Sequence, residues 1–207
     1  MTRARLDFFF SFRSPYSYLA APRAFALADR HDVDVVFRGV IPMAMRGQAV
    51  PRAKALHTLR DAAREARRLG MPFGRIHDPI GDGATRCLLV AEHAIDVGRE
   101  RAFVLRASRA IWAEAVDVAR DHGLRRVCEA AGLAWGDCRA ALHDPVLHAR
   151  VQASTAALEA HGQWGVPVLA FGSECFWGQD RIEDLEVVLR DAGLASGARE
   201  ARGAGMA

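Results

Sequence analysis

Ser14 and Ser17 flank the segment Ser14-Pro15-Tyr16-Ser17 near the start of the chain. A serine hydroxyl can accept a hydrogen bond from a backbone N–H as a helix cap, and it can donate one to an anion such as a thiolate. It cannot form a disulfide. The chemistry open to this pair is therefore stabilisation of an anion that arrives from outside, without thiol exchange. Taken alone, a Ser-Pro pair reads more plainly as a helix cap.

The flanking residues indicate what would position these hydroxyls. Leu6 to Phe12 reads as a strand, and the run Phe8-Phe9-Phe10 suits one buried on both faces. Pro15 fits the first helical position, where its missing N–H is no loss. Tyr16, Leu19, Ala20, Ala24 and Leu27 then recur at helical spacing, so Ser14 becomes the N-cap. A strand running straight into a helix N-terminus presents free N–H groups and the positive end of a dipole, a setting that favours an anion or thiolate. In thioredoxin-like folds this spot carries the first cysteine of a C-x-x-C pair. Here both positions are serine.

Val33 to Arg38 alternates like a second strand and completes a parallel β-α-β unit. Gly39 to Val50 is read as a crossing out of the sheet. A helix over 51–70 carries Leu56, Leu59, Ala63 and Ala66 on one side, and most of its arginines on a solvated face. Further helices are predicted over 84–97, 100–122, 124–131 and 145–161, with Phe103 and Trp112 inward and Glu114 and Asp117 on a solvated face. Val166 to Phe171 and Glu174 to Trp177 form a hairpin through Gly172-Ser173. A last helix follows with Ile182, Leu185 and Leu189 inward, and Asp180 with Glu183 imitates a capping box. This order predicts an α/β chain with a thioredoxin-like fold and an all-helical insertion. The thioredoxin-like domain is expected over 1–40 and 145–194, the inserted helical domain over 41–144, and a disordered tail over 195–207.

The 207 residues suffice for a substantial core, and 28 Lys and Arg against 25 Asp and Glu leave a net charge of only +3. That balance does not argue for nucleic acid. Cys87, Cys128, Cys138 and Cys175 form no C-x-x-C pair and no metal-ligand cluster, so neither a redox dithiol nor a metal is expected. No apolar stretch reaches the length of a membrane span and the start does not read as a signal peptide, which makes a cytoplasmic protein the expectation.

Three separated motifs carry a resemblance: Ser14-Pro15-Tyr16-Ser17-Tyr18-Leu19-Ala20, then Gly165-Val166-Pro167, then Phe176-Trp177-Gly178-Gln179-Asp180-Arg181. With the helical Lys54, Asp61 and Arg64 pattern before Gly70-Met71-Pro72, the chain resembles the 2-hydroxychromene-2-carboxylate isomerase family from about Leu6 to Leu194. That family is related to kappa-class glutathione transferases within the DsbA-like thioredoxin superfamily. The resemblance implies glutathione as cofactor, Ser14 beside its sulfur, and a cis Pro167 that turns the backbone of Val166 toward the cysteinyl unit. It further implies that Trp177, Gly178, Gln179 and Asp180 hold the rest of the tripeptide. The implied reaction interconverts 2-hydroxychromene-2-carboxylate and trans-o-hydroxybenzylidenepyruvate in aromatic catabolism by thiolate addition, ring opening, bond rotation and elimination. The substrate carboxylate needs a cation, with Lys54 as first candidate and Arg46 behind it, and Gln48 is the nearest amide where relatives carry an asparagine. Dimers are usual among such relatives.

Each feature has a plainer reading: Pro167 as an edge-strand proline, Trp177 as core, Asp180 as a cap. Two other functions share the architecture. A kappa-class-like transferase would keep the glutathione adduct, and a non-catalytic thioredoxin-like protein would bind extended peptides along the proline edge.

Overall fold

The computed structural model describes residues 3–195. The tail expected over 195–207 lies outside them except for its first residue. A four-stranded sheet has the order β2-β1-β3-β4, with β1 at Ala4–Phe10, β2 at Val33–Gly39, β3 at Val168–Phe171 and β4 at Glu174–Trp177. β1 runs parallel to β2, pairing Phe8 with Phe37, and antiparallel to β3, pairing Phe9 with Val168. β3 and β4 form the expected hairpin.

β1 is covered on both faces, as its unbroken phenylalanines require. Phe8 and Phe10 point into the larger core with Phe12, Phe25 and Phe37, where ring centroids lie 5.0–5.8 Å apart in edge-on or tilted pairs between Phe10 and Phe12, Phe8 and Phe25, and Phe10 and Phe37. Such pairs each add roughly 0.5–1.5 kcal/mol beyond their buried area. Phe9 faces the other way, into a smaller cluster with Val40, Leu158 and Val168. The strand is thereby fixed from both faces before it reaches Ser14.

α1 (Pro15–Phe25) begins where the sequence places it, with Pro15 at the first position and Ser14 as N-cap. A short α2 (Leu27–Arg30) follows after a break at Ala26. Between β2 and β3 every element is helical: a 3-10 turn at Met43–Arg46, then α3 (Arg52–Arg68), α4 (Asp82–Asp96), α5 (Glu100–Ala113), α6 (Asp121–Ala130), α7 (Trp135–Ala141) and α8 (Pro145–Ala160). α9 (Ile182–Asp191) closes the described chain with Ile182, Leu185 and Leu189 buried.

The structure corrects four expectations. The helix predicted over 100–122 stops at Ala113: Ala115 takes a positive φ of 53°, and the carboxylate of Asp117 accepts from the N–H of Ala119 at 3.0 Å. A local side-chain turn of that kind competes with helix continuation. α6 accordingly begins at Asp121, before the predicted 124, and α7 was not anticipated. On α3 the inward residues are Ala62 and Ala66, one helical turn apart, while Leu56 and Leu59 are 45 % and 36 % exposed. Small residues let α3 approach α1 closely, and neither leucine has core beneath it. Finally, no capping box forms before α9; its N-cap is Arg181, and Asp180 pairs with that guanidinium at 3.3 Å.

Candidate active site at the β1–α1 junction

A cleft of about 680 Å³ opens where β1 meets α1, bounded by the loops before β3 and after β4 and by the flank of α3. This is within the usual range for a small-molecule site. Ser14 lines it. Its Oγ accepts from the N–H of Ser17 at 3.1 Å, as a cap should, and donates to the carbonyl of Val166 at 3.2 Å. Ser17 is fully buried, and its Oγ accepts from the N–H of Ser11 at 3.4 Å, which ties the end of β1 to the first turn of α1. The Val166–Pro167 bond is cis, and Pro167 precedes β3, so the edge-strand reading of this proline gives way to a turn bordering the cleft.

The segment after β4 forms the next wall. Trp177 is 46 % exposed, so it is not a core residue; its ring meets that of Trp164 edge-on at 5.0 Å. Gly165 allows that approach: a Cβ there would lie 2.8 Å from Cζ2 of Trp177. Gly178 has φ +126°, a conformation L side chains rarely adopt, and its N–H donates to the carbonyl of Pro167 at 3.0 Å. Gln179 is buried and turned inward. Its side-chain oxygen and backbone carbonyl both accept from Arg23, and its amide nitrogen donates to Glu65 at 2.9 Å. Only Asp180 of this segment offers an exposed charge to the cleft.

α3 supplies the opposite wall. Asp61 accepts from the hydroxyl of Tyr16 at 2.7 Å. Partial burial, and next that carboxylate, push the Tyr16 phenol well above its ordinary range, so it is a proton-bearing group at every physiological pH. Glu65, bound by Arg68 and Gln179, is held below the usual carboxylate range. Glu65 is therefore charged at neutral pH.

The three residues predicted to hold a substrate fare differently. Lys54 lines the cleft, with Nζ 5.0 Å from the centroid of the Trp164 ring. Arg46 also lines it, but its guanidinium is engaged by the carbonyl of Ile41 at 3.0 Å, by Glu159 at 2.8 Å and by the carbonyl of Trp164 at 2.7 Å. It holds the turn after β2 to the turn before β3. Gln48 is exposed and is not among the cleft residues. Sequence reasoning passed over Trp164, although an aromatic directly before Gly165-Val166-Pro167 was a signal, and gave no role to Tyr16 or Arg13.

No C-x-x-C exists, and all four cysteines are free; Cys87, Cys128 and Cys138 are buried. Burial raises the Cys87 thiol to about 12, so it is inert as a nucleophile. Among the described residues no helix is long and apolar enough to cross a membrane.

Comparison with known proteins gives the family. The chain is 26% identical over 196 residues to the 2-hydroxychromene-2-carboxylate isomerase of Sphingobium xenophagum, covering 90% of this chain and 98% of that one. The fold matches a solved 2-hydroxychromene-2-carboxylate isomerase with a TM-score of 0.77 at 24% identity, over 91% and 95% of the two chains. It also matches the cytosolic disulfide reductase DsbM of Pseudomonas aeruginosa solved with GSH, with a TM-score of 0.67 at 22% identity over 90% and 99%. The family model of the DSBA-like thioredoxin domain covers residues 5–190, and the chain belongs to that family.

Proposed function

We propose that this protein is a glutathione-dependent isomerase that interconverts 2-hydroxychromene-2-carboxylate with trans-o-hydroxybenzylidenepyruvate. The observation that carries the reading is a hydroxyl where a thiol would serve exchange: Ser14 caps α1 and reaches Val166 beside the cis bond, within a cleft that contains no cysteine. Similarity to an isomerase along nearly the whole chain supports it.

The residues present fit the tripeptide. The backbone around Val166 borders the cleft next to Ser14, and the carboxylates of Asp61 and Asp180 suit its ammonium group. Lys54 and Arg68 suit its carboxylates, and the Trp164–Trp177 pair offers an apolar wall. When bound, glutathione supplies a thiol whose anion can add to a conjugated ring and later leave, which permits rotation about a former double bond with no net redox change. The protein's part is electrostatic. The N-terminus of α1 and the Ser14 hydroxyl lower the cost of negative charge on sulfur. Arg23, Gln179 and Glu65 fix the Trp177–Asp180 segment from behind.

The test is product analysis with purified protein, 2-hydroxychromene-2-carboxylate and glutathione. Isomerisation that requires glutathione and returns it unchanged supports the proposal. A stable adduct that consumes glutathione makes the protein a transferase, and failure to retain glutathione in equilibrium dialysis overturns both.

A further inference from the structure

We propose that Arg13 receives the carboxylate of the substrate, and that Asp78 is a resident carboxylate which the substrate displaces. The inference takes the ligand class, a small aromatic molecule bearing a carboxylate, from the function proposed above.

Arg13 immediately precedes Ser14, and both line the cleft. Its guanidinium grips Asp78 as a fork, Nε to Oδ1 at 2.9 Å and Nη2 to Oδ2 at 2.9 Å. This is the geometry in which arginine recognises any planar carboxylate, so the receptor is already formed. Apart from Arg13, the resident partner is secured by one local bond, its Oδ1 accepting from the N–H of Ile80 at 3.1 Å, which keeps Asp78 in its loop without tying it to the cleft. Asp78 lies in the irregular stretch between α3 and α4, its side chain is 52 % exposed, and an ion pair that open to water holds weakly. Exchange of one carboxylate for another leaves the number of charged hydrogen bonds at Arg13 unchanged.

The other cations of the cleft are less suited. Arg46 has a side chain only 11 % exposed and three partners, and Arg68 is paired with Glu65 at 2.7 Å. Lys54 stands above Trp164, where it offers a point charge without a fork. Beside Arg13 the cleft is also lined by Trp112, whose indole N–H donates to the carbonyl of Phe12 at 3.1 Å and whose ring stacks on Phe73 at 5.9 Å. Trp112 is only 4 % exposed, so it gives Arg13 a rigid apolar surround and leaves the guanidinium fork as the recognition element.

Binding of cinnamate and of cinnamamide, followed by tryptophan fluorescence or calorimetry without glutathione, tests this apart from turnover. Wild-type protein should prefer cinnamate, and Arg13→Leu should lose that preference with a roughly ten- to hundredfold weaker Kd for cinnamate. Asp78→Asn removes the competitor and should tighten cinnamate binding several-fold while leaving cinnamamide unchanged. Lys54→Met should keep the preference. Equal cinnamate binding by Arg13→Leu and wild type, weaker binding by Asp78→Asn, or loss of the preference in Lys54→Met alone overturns the assignment. Circular dichroism and thermal melts of each variant separate misfolding from lost binding, and Asp78→Asn reports even where Arg13→Leu fails to fold. A protein that binds cinnamate through Arg13 yet ignores glutathione would refute the proposed isomerase while leaving this inference standing.

Discussion

The two sides of the cleft are built differently. The floor is made at the end of β1, the cap of α1 and the Val166–Pro167 turn, from backbone groups and small side chains anchored to a phenylalanine core. The α3 flank is made from long side chains on a helix whose inward face is two alanines and whose leucines stand exposed. The floor can fix an atom in place because the core holds it from beneath. The flank can vary its side chains at little cost to folding, which suits the choice of ligand rather than the chemistry.

Paired truncations sharpen that contrast most. Phe10→Ala should cost about 3–5 kcal/mol in a denaturant titration, whereas Leu56→Ala should stay within about 0.5 kcal/mol. Equal costs would erase the distinction between the two walls. Ser14→Ala should lower activity at saturating glutathione by roughly ten- to a hundredfold and raise the pKa of the bound thiol, read from thiolate absorbance. Identical titrations in both proteins would mean that the hydroxyl does not touch sulfur. Gly165→Ala should cost about 1 kcal/mol and weaken glutathione binding several-fold, because the added methyl meets the ring of Trp177. A shift in tryptophan emission checks it.

The smallest effect concerns the tie between the walls. Tyr16→Phe removes the bond to Asp61 and should cost about 0.5–1 kcal/mol at pH 7. Because folding raises the Tyr16 pKa, this contribution is full below the unfolded value of about 10 and is lost as pH climbs through the folded one. The stability gap between wild type and variant should hold steady from about pH 7 to 9 and narrow above about 10. A gap that widens in alkali would refute the assignment of the bond.

The floor was readable in the sequence because its signals are local. Three phenylalanines in a row, a serine before a proline and a Gly-Val-Pro each restrict the backbone within a few residues. The flank was not. Apolar residues at helical spacing look the same whether or not core lies beneath them, so Leu56 and Leu59 were grouped on one side with Ala66 although both stand exposed. Arg46 could not be judged from its surroundings in the chain, since two of its partners, Glu159 and Trp164, are more than a hundred residues away. The end of α5 was hidden for a similar reason: Val116 and Val118 continue the apolar spacing, but both are buried from a loop.

The Ser14 hydroxyl carries a single hydrogen, and the carbonyl of Val166 is its partner. Redirecting that hydrogen toward a sulfur requires only a swing about one C–O bond, with no shift of the main chain. The oxygen itself stays in place, and after the swing its other lone pair can accept from the N–H of Ser17. Under the proposed function, arrival and departure of the nucleophile would therefore cost the protein little more than the turn of a rotor.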